Sequence, residues 1–180
     1  MAKKSAAKKS KKKAKKASTK NRSTSSKASS KRDRGFARKF DPVTAEDASL
    51  VLRLYELRRE DVMRRSRDKL LLWKPSSIDD LVAIFDFEHP DNAAIRQVSS
   101  YFELSFGLAR RGAVHPELVA EWCAEGLLLF AKVEPFLAEF RERVSSSAFQ
   151  HAQWVAENTE WGKQRVEYFR VRFEIQSKPS

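Results

Sequence analysis

From residue 40 onward, large apolar side chains recur at three- and four-residue intervals, and no useful stretch alternates apolar with polar. That period predicts helices rather than strands, and few Gly or Pro interrupt the stripes. Residues 40–180 therefore read as an all-α, single bundle-like domain of about five to six helices. The first helix is expected to open at Thr44, where Thr44 and Asp47 form an approximate capping box after Pro42. It should run to about Trp73, with Leu50, Leu54, Leu57, Leu70, Leu71 and Leu72 turned inward, until Pro75 ends it. A shorter helix is expected from Ser76 or Ser77 to about Phe87. Its first turn holds Asp79 and Asp80, which oppose the positive end of the helix dipole.

Two later helices are introduced alike, by His89-Pro90 and His115-Pro116. Proline at a first helical position gives up no needed backbone donor. The third helix carries Ile95, Val98, Phe102 and Phe106 on one stripe, with Tyr101, Leu104 and Leu108 beside it. Such a wide apolar face suits a central element, and Arg110-Arg111-Gly112 gives it a basic last turn and a glycine stop. The fourth, with Leu118, Val119, Trp122, Cys123, Leu127, Leu128 and Phe130, should be kinked or divided at Pro135. Phe136, Leu137, Phe140 and Val144 continue the stripe to the serines at 145–147. In the last region, 148–174, Gly162 is the expected divider. Trp154, Trp161, Tyr168 and Phe173 exceed what one amphipathic face requires, so they mark either an interface or a helix covered on two sides.

Charge changes this picture sharply at residue 39. Residues 1–39 hold 17 Lys/Arg against one acid, Asp33, whereas residues 40–180 hold 19 Lys/Arg against 23 Asp/Glu. The formal net charge of +12 is therefore a difference between a strongly cationic arm and a mildly acidic body. The arm's only large apolar residue after Met1 is Phe36. It cannot bury enough surface to offset an ordering cost of roughly 1–2 kcal/mol per residue, so it is expected to be disordered in isolation. Its expected chemistry is polyanion binding through Lys3, Lys4, Lys8, Lys9, Lys11, Lys12, Lys13, Lys15, Lys16, Lys20, Arg22, Lys27, Lys31, Arg32 and Arg34. With little arginine and no interleaved aromatics, these residues offer point charges rather than base readout. Duplex DNA, structured RNA and anionic surfaces all fit. Phosphorylation at the arm's serines and threonines, such as Ser10, Ser18 or Thr19, would weaken such binding.

In composition the arm resembles the lysine-, alanine- and serine-rich tails of linker histones and bacterial histone-like proteins. The body resembles an uncharacterised bacterial family of small helical domains of unknown function. The residues that carry this second resemblance are the Arg/Glu-rich first helix and Val98-Ser99-Ser100-Tyr101-Phe102-Glu103-Leu104, leading to Arg111-Gly112. It continues through Glu117-Leu118-Val119 and the apolar run before Pro135. The resemblance implies a helical fold and a bacterial source, and it supplies no active site to carry over.

The body carries little recognisable chemistry. The lone Cys123 excludes an intramolecular disulfide and a cysteine-cluster zinc site. His89, His115 and His151 lack metal-ligand spacing, so neither metal nor cofactor is expected. Glu117, Glu121 and Glu125 stack at i,i+4, where a solvated acidic face is the plainer reading than a ligand ladder. The seven basic residues from Arg53 to Lys69 likewise read as a solvent face laced by Glu60–Arg64 and Asp61–Arg65 pairs. No apolar run approaches the roughly 20 residues of a membrane span.

The sequence therefore predicts a non-enzymatic, cytoplasmic protein, nucleoid-associated where its arm holds nucleic acid without strong sequence preference. The body would mediate homo-oligomerisation or a protein contact. The alternative is a helical protein-interaction module whose arm is only solubilising or weakly surface-binding.

Overall fold

The computed structural model describes residues 40–175, and all regular structure among them is helical. The elements are α1 (Ala45–Arg58), α2 (Asp61–Leu71), α3 (Ile78–Ile84), α4 (Asn92–Arg110), α5 (Pro116–Trp122) and α6 (Ala124–Val133). A 3-10 turn (Glu134–Phe136) leads into α7 (Leu137–Arg143), then α8 (Gln150–Asn158) and α9 (Glu160–Arg172). The all-α class is as the apolar period requires. The helix count exceeds the expected five or six, because long helices read from the stripes are divided at joints that no proline or glycine marks.

The first division separates α1 from α2. Thr44 and Asp47 do form a reciprocal capping box, with Asp47 N–H donating to Thr44 Oγ1 at 3.1 Å and Thr44 N–H to Asp47 Oδ2 at 2.8 Å. The helix stops at Arg58, however, and Glu60 adopts an extended ψ of 144°. Arginines of the next helix cap the freed carbonyls: Arg64 Nη2 donates to Arg59 O at 2.9 Å and Arg67 Nη1 to Arg58 O at 3.2 Å. Arg64, expected to pair with Glu60 along the solvent face, thus helps Arg67 close a corner instead. Arg64 pairs with Asp61 at 3.4 Å, on the solvent side.

α3 begins where expected, with Ser77 Oγ accepting from Asp80 N–H at 3.1 Å. The two His-Pro pairs behave differently. Pro116 is the first residue of α5, and His115 Nδ1 accepts from Leu118 N–H at 3.4 Å. Pro90 lies ahead of α4, which starts at Asn92. There the Asn92 side chain reaches back to Ile84 O at 3.2 Å and satisfies the end of α3.

The core is organised around α4 and α6. Ile95, Val98, Phe102 and Phe106 of α4 are buried, and every residue of α6 from Gly126 to Val133 is enclosed. A helix buried all round belongs at the centre of its domain. Its approach to α4 is fixed by Gly126, where a Cβ would lie 2.5 Å from Phe102 Cγ and 2.8 Å from Phe106 Cζ. α2 and α8 pack on α4, and α9 covers α6. Each large side chain sealed in this way contributes roughly 1.5–3 kcal/mol.

Two further joints lie at Cys123, between α5 and α6, and at Thr159, between α8 and α9. Thr159, not Gly162, divides the last region. Gly162 sits in the first turn of α9, donating its N–H to Thr159 Oγ1 at 2.9 Å, and a Cβ there would collide with Thr159 Oγ1 and Val155 O. Trp154, Trp161 and Phe173 pack half-buried against the core, while Tyr168 points outward. Most of the aromatic excess is therefore used by a helix pair covered on more than one side.

Candidate functional site

All cationic arm positions expected to bind polyanion, from Lys3 to Arg34, lie outside the described residues. The body's own polar residues are largely engaged in holding helix ends, and much of that work crosses between elements. Asp47 Oδ1 accepts from His115 N–H at 2.6 Å, tying α1 to α5. Glu103 of α4 accepts from His151 N–H and Ala152 N–H at 3.2 and 2.8 Å, capping α8. α8 needs this help, because its own cap residue, Phe149, has no side-chain acceptor. Glu117 does the same for α9, accepting from Glu160 N–H at 2.8 Å and Trp161 N–H at 3.0 Å. Tyr101 donates to Leu54 O at 2.6 Å.

The apparent ladder of Glu117, Glu121 and Glu125 is consequently not one face. The joint at Cys123 ends its register, and the expected solvated acidic face is replaced by separate roles. Glu125 sits between two guanidinium groups: Arg58 Nη2 lies 2.9 Å from Oε1, Arg67 Nη2 donates to Oε1 at 2.7 Å, and Arg67 Nε donates to Oε2. Burial pushes the Glu125 carboxyl up, but hydrogen bonds from Arg67 and Arg58 outweigh it and hold the pKa below the ordinary value. Neighbouring Cys123 is buried, and burial pushes its thiol up to about 12, which leaves almost no thiolate at neutral pH.

Lys132 is a feature that sequence reasoning missed. Only 4% exposed within α6, it directs Nζ at Leu70 O and Leu71 O, 3.1 and 2.8 Å away, the last carbonyls of α2. Burial, with Lys74 adding to it, lowers its pKa from 10.5 to about 8. Its place in a greasy run concealed it, since one lysine among leucines reads as an edge of the stripe.

Two surface features remain unused by the fold. The first is a cleft of about 300 Å³ bounded by Phe85, by Arg96 to Glu103 along α4, by Phe140, and by the 144–149 connection. Its floor is aromatic: Phe85 meets Phe140 at a centroid distance of 5.0 Å and Phe149 edge-on at 6.5 Å. Phe149 holds φ at +52°, in the left-handed region that bulky residues rarely enter. Ser99, Ser100, Ser145 and Ser147 stand among the lining residues. The second feature is α1 itself. Leu54 is its single buried residue, whereas Leu52, Tyr55 and Leu57 are exposed. Tyr55 also lines a shallow pocket with Arg58 and the half-exposed Trp122. No spacing rule finds either feature, because each gathers residues from several helices.

Among the described residues, no group of His, Cys, Asp and Glu is arranged to hold a metal ion, and no helix is long and apolar enough to cross a membrane. A family model described as "Domain of unknown function (DUF4760)" matches residues 43–161, from just before the α1 cap to the first turn of α9. Searches of curated proteins and of solved structures returned no match.

Proposed function

The chain belongs to the DUF4760 family, and from that premise we propose that it is a non-enzymatic, cytoplasmic bacterial protein. In this reading the lysine-rich arm, similar to histone-like tails, holds it on nucleic acid without strong sequence preference. The helical body contributes a protein contact, most simply with a second copy of itself. One observation carries the nucleic-acid reading: 17 basic residues against one acid within residues 1–39, joined to a body with an excess of acids. The body offers no comparable cation source. Arg58 and Arg67 share the one carboxylate of Glu125, and Arg143 and Arg170 each contact two acids.

Support for the contact comes from α1, whose exposed Leu52, Tyr55 and Leu57 accompany Arg58 and Trp122. Tyr, Trp and Arg are the side chains most enriched at interface hot spots. This feature would serve equally well in the alternative, an interaction module whose arm is only solubilising.

The two readings separate in duplex binding titrated against salt. If about half of the arm's charges engage phosphates, the log–log slope is about −7, since each contact contributes about −0.9. Changing Lys11, Lys12, Lys13, Lys15 and Lys16 to Gln in the full chain should reduce that slope by about 2 to 4. An unchanged slope and affinity would refute the arm's role. For the body, sedimentation of the full chain should show association that Leu52→Glu with Tyr55→Glu abolishes; a strictly monomeric parent at high concentration refutes that half.

A further inference from the structure

We propose that the cleft between α3, α4, α7 and the 144–149 connection binds a small amphipathic monoanion, an aromatic or aryl-alkyl carboxylate. Its ring would lie on the Phe85, Phe140 and Phe149 floor, and its carboxylate would meet Arg96. This site is independent of the arm and of the α1 surface.

Five observations converge on it. The volume of about 300 Å³ lies at the lower end of the roughly 300–1,000 Å³ typical of small-molecule sites, and the apolar floor with a sparse polar rim has their usual composition. Arg96 is exposed at the rim, its guanidinium 4.9 Å from the centroid of the Phe87 ring and, among the described residues, facing no carboxylate at ion-pair distance. The cleft's single acid, Glu103, has both carboxylate oxygens engaged by the first N–H groups of α8. Glu103 keeps its charge but turns both oxygens to α8, and Arg96 is the one cation among the lining residues, which suits a monoanion. A dianion would bring a second negative charge without a partner.

The remaining observations concern the 144–149 wall. Glycine or asparagine would hold the left-handed backbone at 149 with less strain, yet a phenylalanine stands there. What the strain preserves is the position of the ring, which completes the aromatic floor against Phe85. Arg141 Nε donates to Ala148 O at 2.9 Å, while its Nη2 is buried with no hydrogen-bond partner among the described residues. A buried donor left unmet is unfavourable, so this wall carries both backbone strain and an unsatisfied group. Outliers of this kind gather at ligand sites.

The test uses the full chain, amide NMR spectra in 0.15 M salt, and two probes, 4-phenylbutyrate and the uncharged 4-phenylbutanol. Saturable shifts are expected at amides of residues 96–103 and 144–150, with the carboxylate binding about tenfold more tightly than the alcohol. Arg96→Gln should bring the carboxylate to the alcohol's affinity and leave the alcohol unchanged. Because Arg96 is exposed, that variant should keep the parent's far-UV circular dichroism. Val144→Trp, which fills the cleft from a half-exposed position, should weaken both probes. Equal carboxylate affinity in parent and Arg96→Gln would overturn the proposal. So would shifts confined to the arm or to other surfaces, or no saturable shift up to the solubility limit.

Discussion

Lys132 places an ionisable group where water is nearly absent, and its consequences can be worked through. Two effects act on the ammonium in opposite directions. The carbonyls of Leu70 and Leu71 favour the charged form as the negative end of α2, while burial and Lys74 disfavour it. Burial is the larger effect, bringing the pKa from 10.5 to about 8. Between those values the unfolded chain retains a proton that the folded chain has released. Stability therefore rises with pH across the window, the sign required when the unfolded state binds more protons. The interval corresponds to about 3 kcal/mol at about 1.4 kcal/mol per unit.

Lys132→Met, similar in length and without charge, is the matched reference. It loses the hydrogen bonds but also sheds the buried charge, so the pH dependence of the difference carries the test rather than its value at one pH. Equilibrium urea unfolding of both proteins should be followed by tryptophan fluorescence from pH 7 to 10.5. The parent should gain on the variant by up to about 3 kcal/mol, mostly above pH 8. A difference that stays flat would mean that the α2 carbonyls compensate fully for lost hydration. Burial would then not be the larger effect on Lys132.

Other consequences follow from the same contacts. Glu125→Gln should destabilise the protein by about 2 kcal/mol at pH 7, because Arg58 and Arg67 lose a carboxylate while partly buried. Since the folded Glu125 pKa is depressed, the parent's advantage should persist above the ordinary carboxylate range and disappear as pH falls through the folded value. Gly126→Ala should lower the melting temperature by several degrees, on the order of 1–3 kcal/mol of overpacking against Phe102 and Phe106. Iodoacetamide at pH 8 should leave Cys123 unmodified in the native protein and label it fully in denaturant; rapid native labelling would contradict its burial and raised pKa. Thr44→Ala should cost about 1 kcal/mol and speed amide exchange along the first turns of α1, whose cap it removes.

How far the sequence could be read depends on the range of the interaction concerned. The capping box at Thr44, the caps at Ser77 and His115, and the glycine stop at Gly112, with φ +74°, depend on neighbours within a few positions. Each was legible as spacing. The apolar stripe of α4 was legible for the same reason, because helix geometry maps a 3.6-residue period onto one face. The joint at Arg59-Glu60 was not. Nothing local terminates α1 there; the corner is held by arginines from the following helix and by Glu125, which is distant in sequence. The identification of Gly162 as a divider failed in an instructive way. Its lack of a side chain serves close packing against Thr159 and Val155, not flexibility.

The sequence by itself determined the helical class, the boundary between cationic arm and acidic body, and the α4 stripe at the centre of the core. Composition and short-range periodicity are enough for these, since net charge and amphipathicity need no knowledge of partners. They were not enough for the first stripe, where Leu57, Leu71 and Leu72 were expected inward and are exposed. Tertiary structure alone decided what the polar residues beyond the local caps do. Glu103, Glu117 and Glu125 look alike in sequence, yet one caps α8, one caps α9 and one bridges two arginines. The same holds for Lys132 and for the cleft walled by Phe149. A carboxylate or an ammonium takes its role from whichever unsatisfied donor or acceptor the fold brings to within about 3 Å, and that partner is set by how helices pack rather than by where residues stand in the chain.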